Sequence, residues 1–198
     1  GEGGMILAKN SEEIERIKVM SLHGISRDAW NRYSEDGVKH YEVVGPGFKY
    51  NMMDLQAAIG IHQLKRVQQG WKKRQELWQK YQAAFSDLPI SLPPEPPSHV
   101  RHGYHLYTLI IEEARCGLSR DRFIEEMAAK GIGTGIHYLA LSEHGYYQQN
   151  LGWKAEDTPH AVKIGRSIVS LPFSPKLTGS EVNRIIEAVR ELLCRKAI

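Results

Sequence analysis

The strongest periodic signal in the chain lies between residues 51 and 87. Ala57, Ile61, Leu64, Val67, Trp71, Trp78, Tyr81 and Phe85 recur at steps of three, four and seven, the repeat of one face of an α-helix. Asn51 is a good N-cap residue and Asp54 follows three positions later, as in a capping box with Asp in place of Glu. The pattern predicts one amphipathic helix from Asn51 to about Asp87, weakened at Gly70. At ~1.5 Å per residue it is on the order of 50 Å long. A helix of that length typically bridges two domains.

The N-terminal side is less regular. Met5-Ile6-Leu7-Ala8 reads as a short buried strand. Ser11, followed by Glu12, Glu13 and Glu15, reads as the cap of a helix whose apolar side carries Ile14, Ile17 and Val19. Periodicity then stops from Leu22 to Gly47, where five glycine and proline positions (24, 37, 45, 46 and 47) punctuate a long loop. A loop of that length in a compact domain is usually functional or disordered.

Beyond the long helix, prolines at 89, 93, 94, 96 and 97 mark a stiff extended linker. His105 to Glu112 reads as a strand. Ser119 caps a helix with Phe123, Ile124 and Met127 inward and Gly131 closing it. Ile132 to Tyr138 reads as a second strand. Thr158 and Pro159 start a helix through Ile168, Leu171-Pro172-Phe173 is a short extended piece, and Thr178 with Glu181 forms a capping box for the last helix. That helix buries Val182, Ile185, Ile186, Val189, Leu192 and Leu193. The expectation is an α/β chain whose C-terminal part is α+β, divided at 1–50, 51–97 and 98–198.

Composition narrows the function classes. The chain has 41% hydrophobic and 25% charged residues, ordinary for a globular protein. Lys+Arg is 26 and Asp+Glu is 23, so the formal net charge is 26 − 23 = +3. The basic residues are dispersed, and the densest cluster, Lys72-Lys73-Arg74, falls inside the helical pattern as a solvated face. Nucleic acid is therefore not an expected partner. Cys116 and Cys194 lack CxxC spacing, so no disulfide framework or zinc ribbon is indicated and a cytoplasmic location is the default. No apolar run approaches the ~18 residues of a membrane span. Gly1-Glu2-Gly3-Gly4 resembles no leader and reads as a start in mid-domain.

Four groups of residues invite a chemical reading. Gly131-Ile132-Gly133-Thr134-Gly135 looks like a phosphate loop, but it ends a helix and opens a strand, the reverse of the order such loops require. His99, His102 and His105 are spaced three apart, but an extended stretch turns such side chains to opposite sides, so no metal site is expected. Asn51 is explained as a helix cap, and the same helix N-terminus could also receive a phosphate. His137, followed by Tyr138 at a strand end beside a long irregular segment, is either a structural histidine or a ligand.

Five stretches in order resemble the DegT/DnrJ/EryC1/StrS aminotransferases. They are Gly1-Glu2-Gly3-Gly4, His23-Gly24-Ile25-Ser26-Arg27-Asp28-Ala29-Trp30, Gly45-Pro46-Gly47-Phe48-Lys49-Tyr50-Asn51 with Leu55-Gln56-Ala57-Ala58-Ile59-Gly60, Gly133-Thr134-Gly135-Ile136-His137-Tyr138, and Ser170-Leu171-Pro172. The resemblance implies the C-terminal portion of a fold-type-I enzyme using pyridoxal 5'-phosphate (PLP). Such a portion has a long interdomain helix and a small antiparallel-sheet-plus-helices domain. It also implies transfer of an amino group from glutamate to a nucleotide-linked 4-keto-sugar by a homodimer, in which Asn51 reaches the PLP phosphate of the partner subunit while His137 and Tyr50 face substrate. The PLP lysine is expected about five residues before Gly1, so the chain alone is expected to be inactive. Residues 115–121 and 131–135 add a likeness to family members that aminate UDP-4-keto-pentose for lipid A modification. A PLP-dependent sugar dehydratase of the same superfamily, and a non-catalytic interaction module, are the alternatives.

Overall fold

The structure is a computed structural model that describes residues 2–26 and 42–194. The middle of the expected 22–47 loop, including Arg27-Asp28-Ala29-Trp30, lies outside the described residues. The chain divides into two compact units, Gly1–Val67 and Gln68–Ile198. No helix among the described residues is long and apolar enough to cross a membrane.

In the first unit, α1 spans Ser11–Ser21. Its cap is Asn10 rather than the expected Ser11: Asn10 is extended and its side chain accepts the Glu12 N–H at 2.8 Å. The expected strand at Met5–Ala8 does not form. Met5, Ile6 and Leu7 are 82%, 64% and 89% exposed, and a strand exists only as part of a ladder, which no described segment supplies here.

Helix α2, Asp54–Phe85, runs from the first unit into the second. It starts later than the spacing predicts. Asn51 is not its cap. The Met53 N–H donates to Gln56 Oε1 at 3.0 Å, and Met53 O accepts the Ala57 N–H. Met53 is therefore the cap position and Gln56 the reciprocal half of a capping box. The capping bond that sequence spacing gave to Asn51 and Asp54 is made by Met53 and Gln56, because backbone hydrogen bonds hold residues 48–50 against α1 and delay the helix start.

The second unit is built on a two-stranded antiparallel sheet. β1 (Tyr107–Ile110) pairs with β2 (Ile168–Leu171), Tyr107 opposite Leu171 and Ile110 opposite Ile168. Single bridges extend it on both sides, Ser91 to Ile110 and Gly135 to Ser170. Two expectations change here. The strand at 132–138 reduces to the one bridge at Gly135, because beyond it the His137 ring folds back against Gly135. The residues given to a helix end and a short extended piece instead supply β2: α6 (Pro159–Ser167) stops at Ser167 and the ladder ends before Pro172, which has no N–H to offer.

Between the strands lie α3 (Glu113–Cys116), α4 (Arg120–Ala129) and α5 (Gly145–Leu151); α7 (Gly179–Cys194) closes the unit. The predicted signals hold for α4 and α7. Ser119 Oγ accepts the Arg122 N–H at 3.3 Å. The Ile132 N–H bonds Met127 O and the Gly131 N–H bonds Ala128 O, with Gly131 at φ +69: this is a Schellman closure, not a phosphate loop. Glu181 accepts from the Thr178 N–H at 2.7 Å and the Glu181 N–H bonds Thr178 Oγ1 at 3.3 Å, which holds the Glu181 carboxyl below its ordinary range. Phe123 and Met127 are fully buried, each worth roughly 1.5–3 kcal/mol relative to exposure.

The last turns of α2 provide one wall of the core through Leu77, Trp78, Tyr81 and Phe85, joined by Leu88 and Ile90. Arg190 of α7 ties this wall down. Its Nη1 donates to Ala84 O at 2.6 Å, and its guanidinium pairs with both Asp87 oxygens at 2.7 Å. The Arg190 hydrogen bonds hold the Asp87 carboxyl at about 2, against an ordinary value of ~4. Because the folded value is depressed, the pair contributes stability above pH ~4 and loses it as pH falls toward 2. Asp87→Asn is expected to flatten the acid limb of a urea-unfolding series between pH ~4 and ~2; an unchanged slope in that window would show that the pair adds nothing. The pair is exposed, so the effect is small.

Candidate functional site

Three of the five motifs meet in the first unit through their backbones. The His23 N–H donates to Phe48 O (2.9 Å), Phe48 N–H to Met20 O (2.7 Å), Tyr50 N–H to Ser21 O (2.8 Å) and Val44 N–H to Gly24 O (2.8 Å). The strands of chain approach so closely that only glycine fits. A Cβ on Gly24 (φ +68) lies 1.9 Å from Gly45 O, and one on Gly47 lies 1.9 Å from Gly24 N. Residues 2–3 join them: the Gln56 Nε2 donates to Glu2 O at 2.9 Å. Gln56 was not legible as a site-building residue, although its spacing from Met53 is a capping signal.

This lacing presents Phe48, Lys49, Tyr50 and Asn51 at the surface. The Phe48 and Tyr50 rings stack at 4.9 Å with 5° between planes, and Tyr50 is 73% exposed. Lys49 Nζ donates to Asn51 Oδ1. Freed from the helix terminus, Asn51 keeps its two amide N–H donors, and Lys49 keeps its remaining ammonium donors. A cation and a neutral amide side by side, with no carboxylate among the described residues hydrogen-bonded to either, form a donor set suited to a phosphate. The residues present thus fit the phosphate of PLP.

In the second unit, His137 is half-buried. Its Nδ1 lies 2.8 Å from Ser170 Oγ on β2, and Ser170 is 4% exposed. Gly135 and Ser170 exchange both backbone hydrogen bonds, at 3.0 and 2.7 Å. The imidazole rests on Gly135, where a Cβ meets His137 Cε1 at 2.7 Å. Tyr138, 75% exposed, stands edge-on to that ring at 4.9 Å. The following backbone is pressed against α6 at Gly165, where a Cβ falls 2.9 Å from Tyr138 O. Arg120 Nη1, on a side chain 10% exposed, holds the end of α6 by donating to Gly165 O and Ile168 O, both at 3.1 Å. Sequence reading found His137 but missed Ser170, Gly165 and Arg120 as its supports; the Ser170-Leu171-Pro172 motif was the available signal.

His99, His102 and His105 form no metal triplet. His102 Nδ1 accepts the Tyr104 N–H at 3.2 Å and its ring packs edge-on against Trp78 at 5.2 Å. No group of three metal-capable side chains occurs among the described residues.

Gly135→Ala tests whether the glycine is there for the ring. The added methyl meets only the far end of a side chain, so the fold is expected to survive with stability changed by about 1 kcal/mol or less, while the His137 imidazole is displaced. Loss of the Ser170–His137 contact in an otherwise unchanged amide NMR spectrum is the expected result; global unfolding contradicts it.

Comparison with known proteins followed from this geometry. A model of the DegT/DnrJ/EryC1/StrS aminotransferase family matches residues 1–190. The spore coat polysaccharide biosynthesis protein SpsC of Bacillus subtilis is 42% identical over 194 residues, 98% of this chain and 50% of its own length. An uncharacterized Methanocaldococcus jannaschii protein, MJ1066, is 42% identical over 193 residues, with the same coverage. The chain thus spans about half the length of the curated relatives it matches. Among solved structures, the PLP form of Spr1654 from Streptococcus pneumoniae, a proposed sugar aminotransferase, superimposes with a TM-score of 0.81 at 28% identity, covering 95% of this chain and 45% of that one. DesV of S. venezuelae gives 0.78 at 26% identity, covering 94% and 45%.

Proposed function

Because the chain belongs to the DegT/DnrJ/EryC1/StrS aminotransferase family, whose cofactor is PLP, we propose that it supplies part of the cofactor and substrate site of a sugar aminotransferase. In this reading the enzyme moves an amino group from glutamate to a nucleotide-linked 4-keto-sugar and works as a homodimer. The observation that carries it is the convergence of residues 2–3, 23–26 and 45–56 on the Lys49–Asn51 donor pair.

When bound, PLP supplies the electron sink and the amino-group carrier. This chain's residues do the rest of what can be assigned to it. Lys49 and Asn51 hold the phosphate of the partner subunit's cofactor by charge-assisted and neutral hydrogen bonds. Tyr50 adds an exposed ring beside them. His137 offers a ring nitrogen to an oxygen of the sugar. In this reading the general acid–base is the family's PLP lysine, expected about five residues before Gly1.

The narrower pentose reading rests on residues 115–121 and 131–135. Arg115 bonds Ser91 Oγ, Ser119 caps α4 and Gly131 closes it, so these residues have structural duties and do not distinguish one keto-sugar from another. The side chains after His137, Leu139 and Leu141, are the places to look for that choice.

The test is spectroscopic. The full-length protein with PLP is expected to show the absorbance band of lysine-bound cofactor, to lose it on addition of glutamate, and to recover it with a UDP-linked 4-keto-sugar. A protein that binds no PLP, or one whose band ignores glutamate, overturns the proposal. The 198 residues alone are expected to give no turnover, and turnover by them would relocate the lysine.

A further inference from the structure

Among the described residues the His137 ring has one polar partner, the Ser170 hydroxyl, and that hydroxyl is committed to it. Ser170 is buried, and its backbone is taken by the sheet: Gly135 on one side through both hydrogen bonds, Thr108 of β1 in register on the other. Its Oγ makes a single hydrogen bond, to His137 Nδ1 at 2.8 Å. A buried hydroxyl must place its proton on an acceptor. Among the described residues, the acceptor paired with this hydroxyl is the Nδ1 lone pair.

We propose that Ser170 is a positioning residue: by donating Oγ–H to Nδ1 it holds His137 in the tautomer that carries its proton on Nε2, and points that N–H outward as a hydrogen-bond donor to an oxygen of the sugar substrate. The second half rests on the reading of His137 as a substrate residue. Three observations set the geometry. Strand pairing holds the Ser170 backbone, and with it Cβ, so only rotation about χ1 can move the hydroxyl relative to the ring. A Cβ on Gly135 would fall 2.7 Å from His137 Cε1, so there is no space for a methyl between them. Among the described residues His137 Nε2 has no hydrogen-bond partner, and it is not one of the sealed polar atoms that lack one, which are Trp78 Nε1, Thr134 Oγ1 and Glu143 Oε2. Nε2 therefore reaches solvent. An imidazole with one nitrogen committed inward and the other open outward has a defined donor face.

The expected numbers follow from one neutral hydrogen bond. In the full-length PLP-loaded enzyme, Ser170→Ala is expected to raise KM for the keto-sugar by about tenfold with kcat changed by less than about twofold. His137→Ala is expected to do at least as much, and adding Ser170→Ala to His137→Ala should do nothing further. Ser170→Thr, which keeps the hydroxyl, is expected to restore most of the KM. Independently, ring-nitrogen NMR of the 15N-labelled chain reports the tautomer: Nδ1 unprotonated and Nε2 protonated in the natural sequence, a mixture of both forms in Ser170→Ala. A tautomer unmoved by Ser170→Ala, or additive effects of the two alanine substitutions, overturns the positioning role. If the tautomer shifts but His137→Ala leaves the sugar KM unchanged, Ser170 still positions the ring and it is the substrate reading of His137 that fails.

Discussion

Asn51→Asp is expected to weaken PLP binding to the full-length enzyme by roughly one to three decades, and Asn51→Ser by much less. In the proposed site a carboxylate at 51 would face the phosphate dianion of PLP. Like charges a few Å apart at a partly exposed site cost on the order of 1–4 kcal/mol. It also draws the Lys49 ammonium, now hydrogen-bonded to the Asn51 carbonyl oxygen, into a direct ion pair, so the cation is lost to the phosphate as well. Serine removes one donor and adds no charge. Neither change should alter the thermal stability of the cofactor-free protein, because the cap of α2 is made by Met53 and Gln56. A PLP titration read by absorbance, beside melting curves of the cofactor-free proteins, checks both statements. Equal affinities for the Asp and Ser variants would remove Asn51 from the phosphate site, and a large drop in melting temperature would return it to a structural role.

The largest expected effect on stability is at Trp78. It is 3% exposed and touches four rings: His102 at 5.2 Å, Tyr104 at 5.4 Å, Tyr107 at 5.0 Å and Phe173 at 6.4 Å. Truncation to alanine leaves a cavity among side chains that the sheet and α2 hold in place, and a loss of about 3–5 kcal/mol is expected. Trp78→Phe separates packing from hydrogen bonding. The indole N–H is sealed and has no partner among the described residues, so removing it breaks no described bond and deletes an unmet donor. The phenylalanine variant should therefore cost only about 1 kcal/mol. Urea unfolding with unchanged slope is the measurement. Comparable losses for the two variants would mean that the N–H has a partner after all, such as the face of a neighbouring ring.

The rest of this core shows why aromatic residues dominate it. Tyr81 is fully buried, yet its hydroxyl donates to Pro172 O at 3.0 Å, and burial raises its pKa well above the ordinary tyrosine range. Arg74 reaches from α2 to three carbonyl oxygens, of Tyr104, His105 and Phe173, at 3.1–3.2 Å. Each is an acceptor at the end of a strand or in a connecting segment, where no ladder partner exists. All three are reached by Arg74 Nη1, whose two hydrogens they share, so one guanidinium nitrogen on α2 ties the approach to β1 to the exit from β2.

Local signals decided much of this protein from the sequence alone. The long helical stripe, the Ser119 and Thr178 caps, the Gly131 closure and the buried faces of α4 and α7 are set by interactions within a few residues, so periodicity and capping chemistry suffice to find them. The motifs, taken in order, also pointed to the family. What sequence could not decide was anything that depends on a partner distant along the chain. Met5–Ala8 has strand composition but no ladder among the described residues. Ile132–Tyr138 has it too, but pairs only at Gly135. Ile168–Leu171 continues an amphipathic helix in pattern and becomes β2, because Tyr107–Ile110 offers it a complete antiparallel register. Asn51 has every local credential of a cap, yet the backbone bonds that bind residues 48–50 to α1 hold the chain extended past it, delay the helix to Asp54 and release the amide for other work. Spacing along the chain cannot reveal Ser170 beside His137 either, since 33 residues separate them and only the pairing of β2 with Gly135 brings the two side chains together.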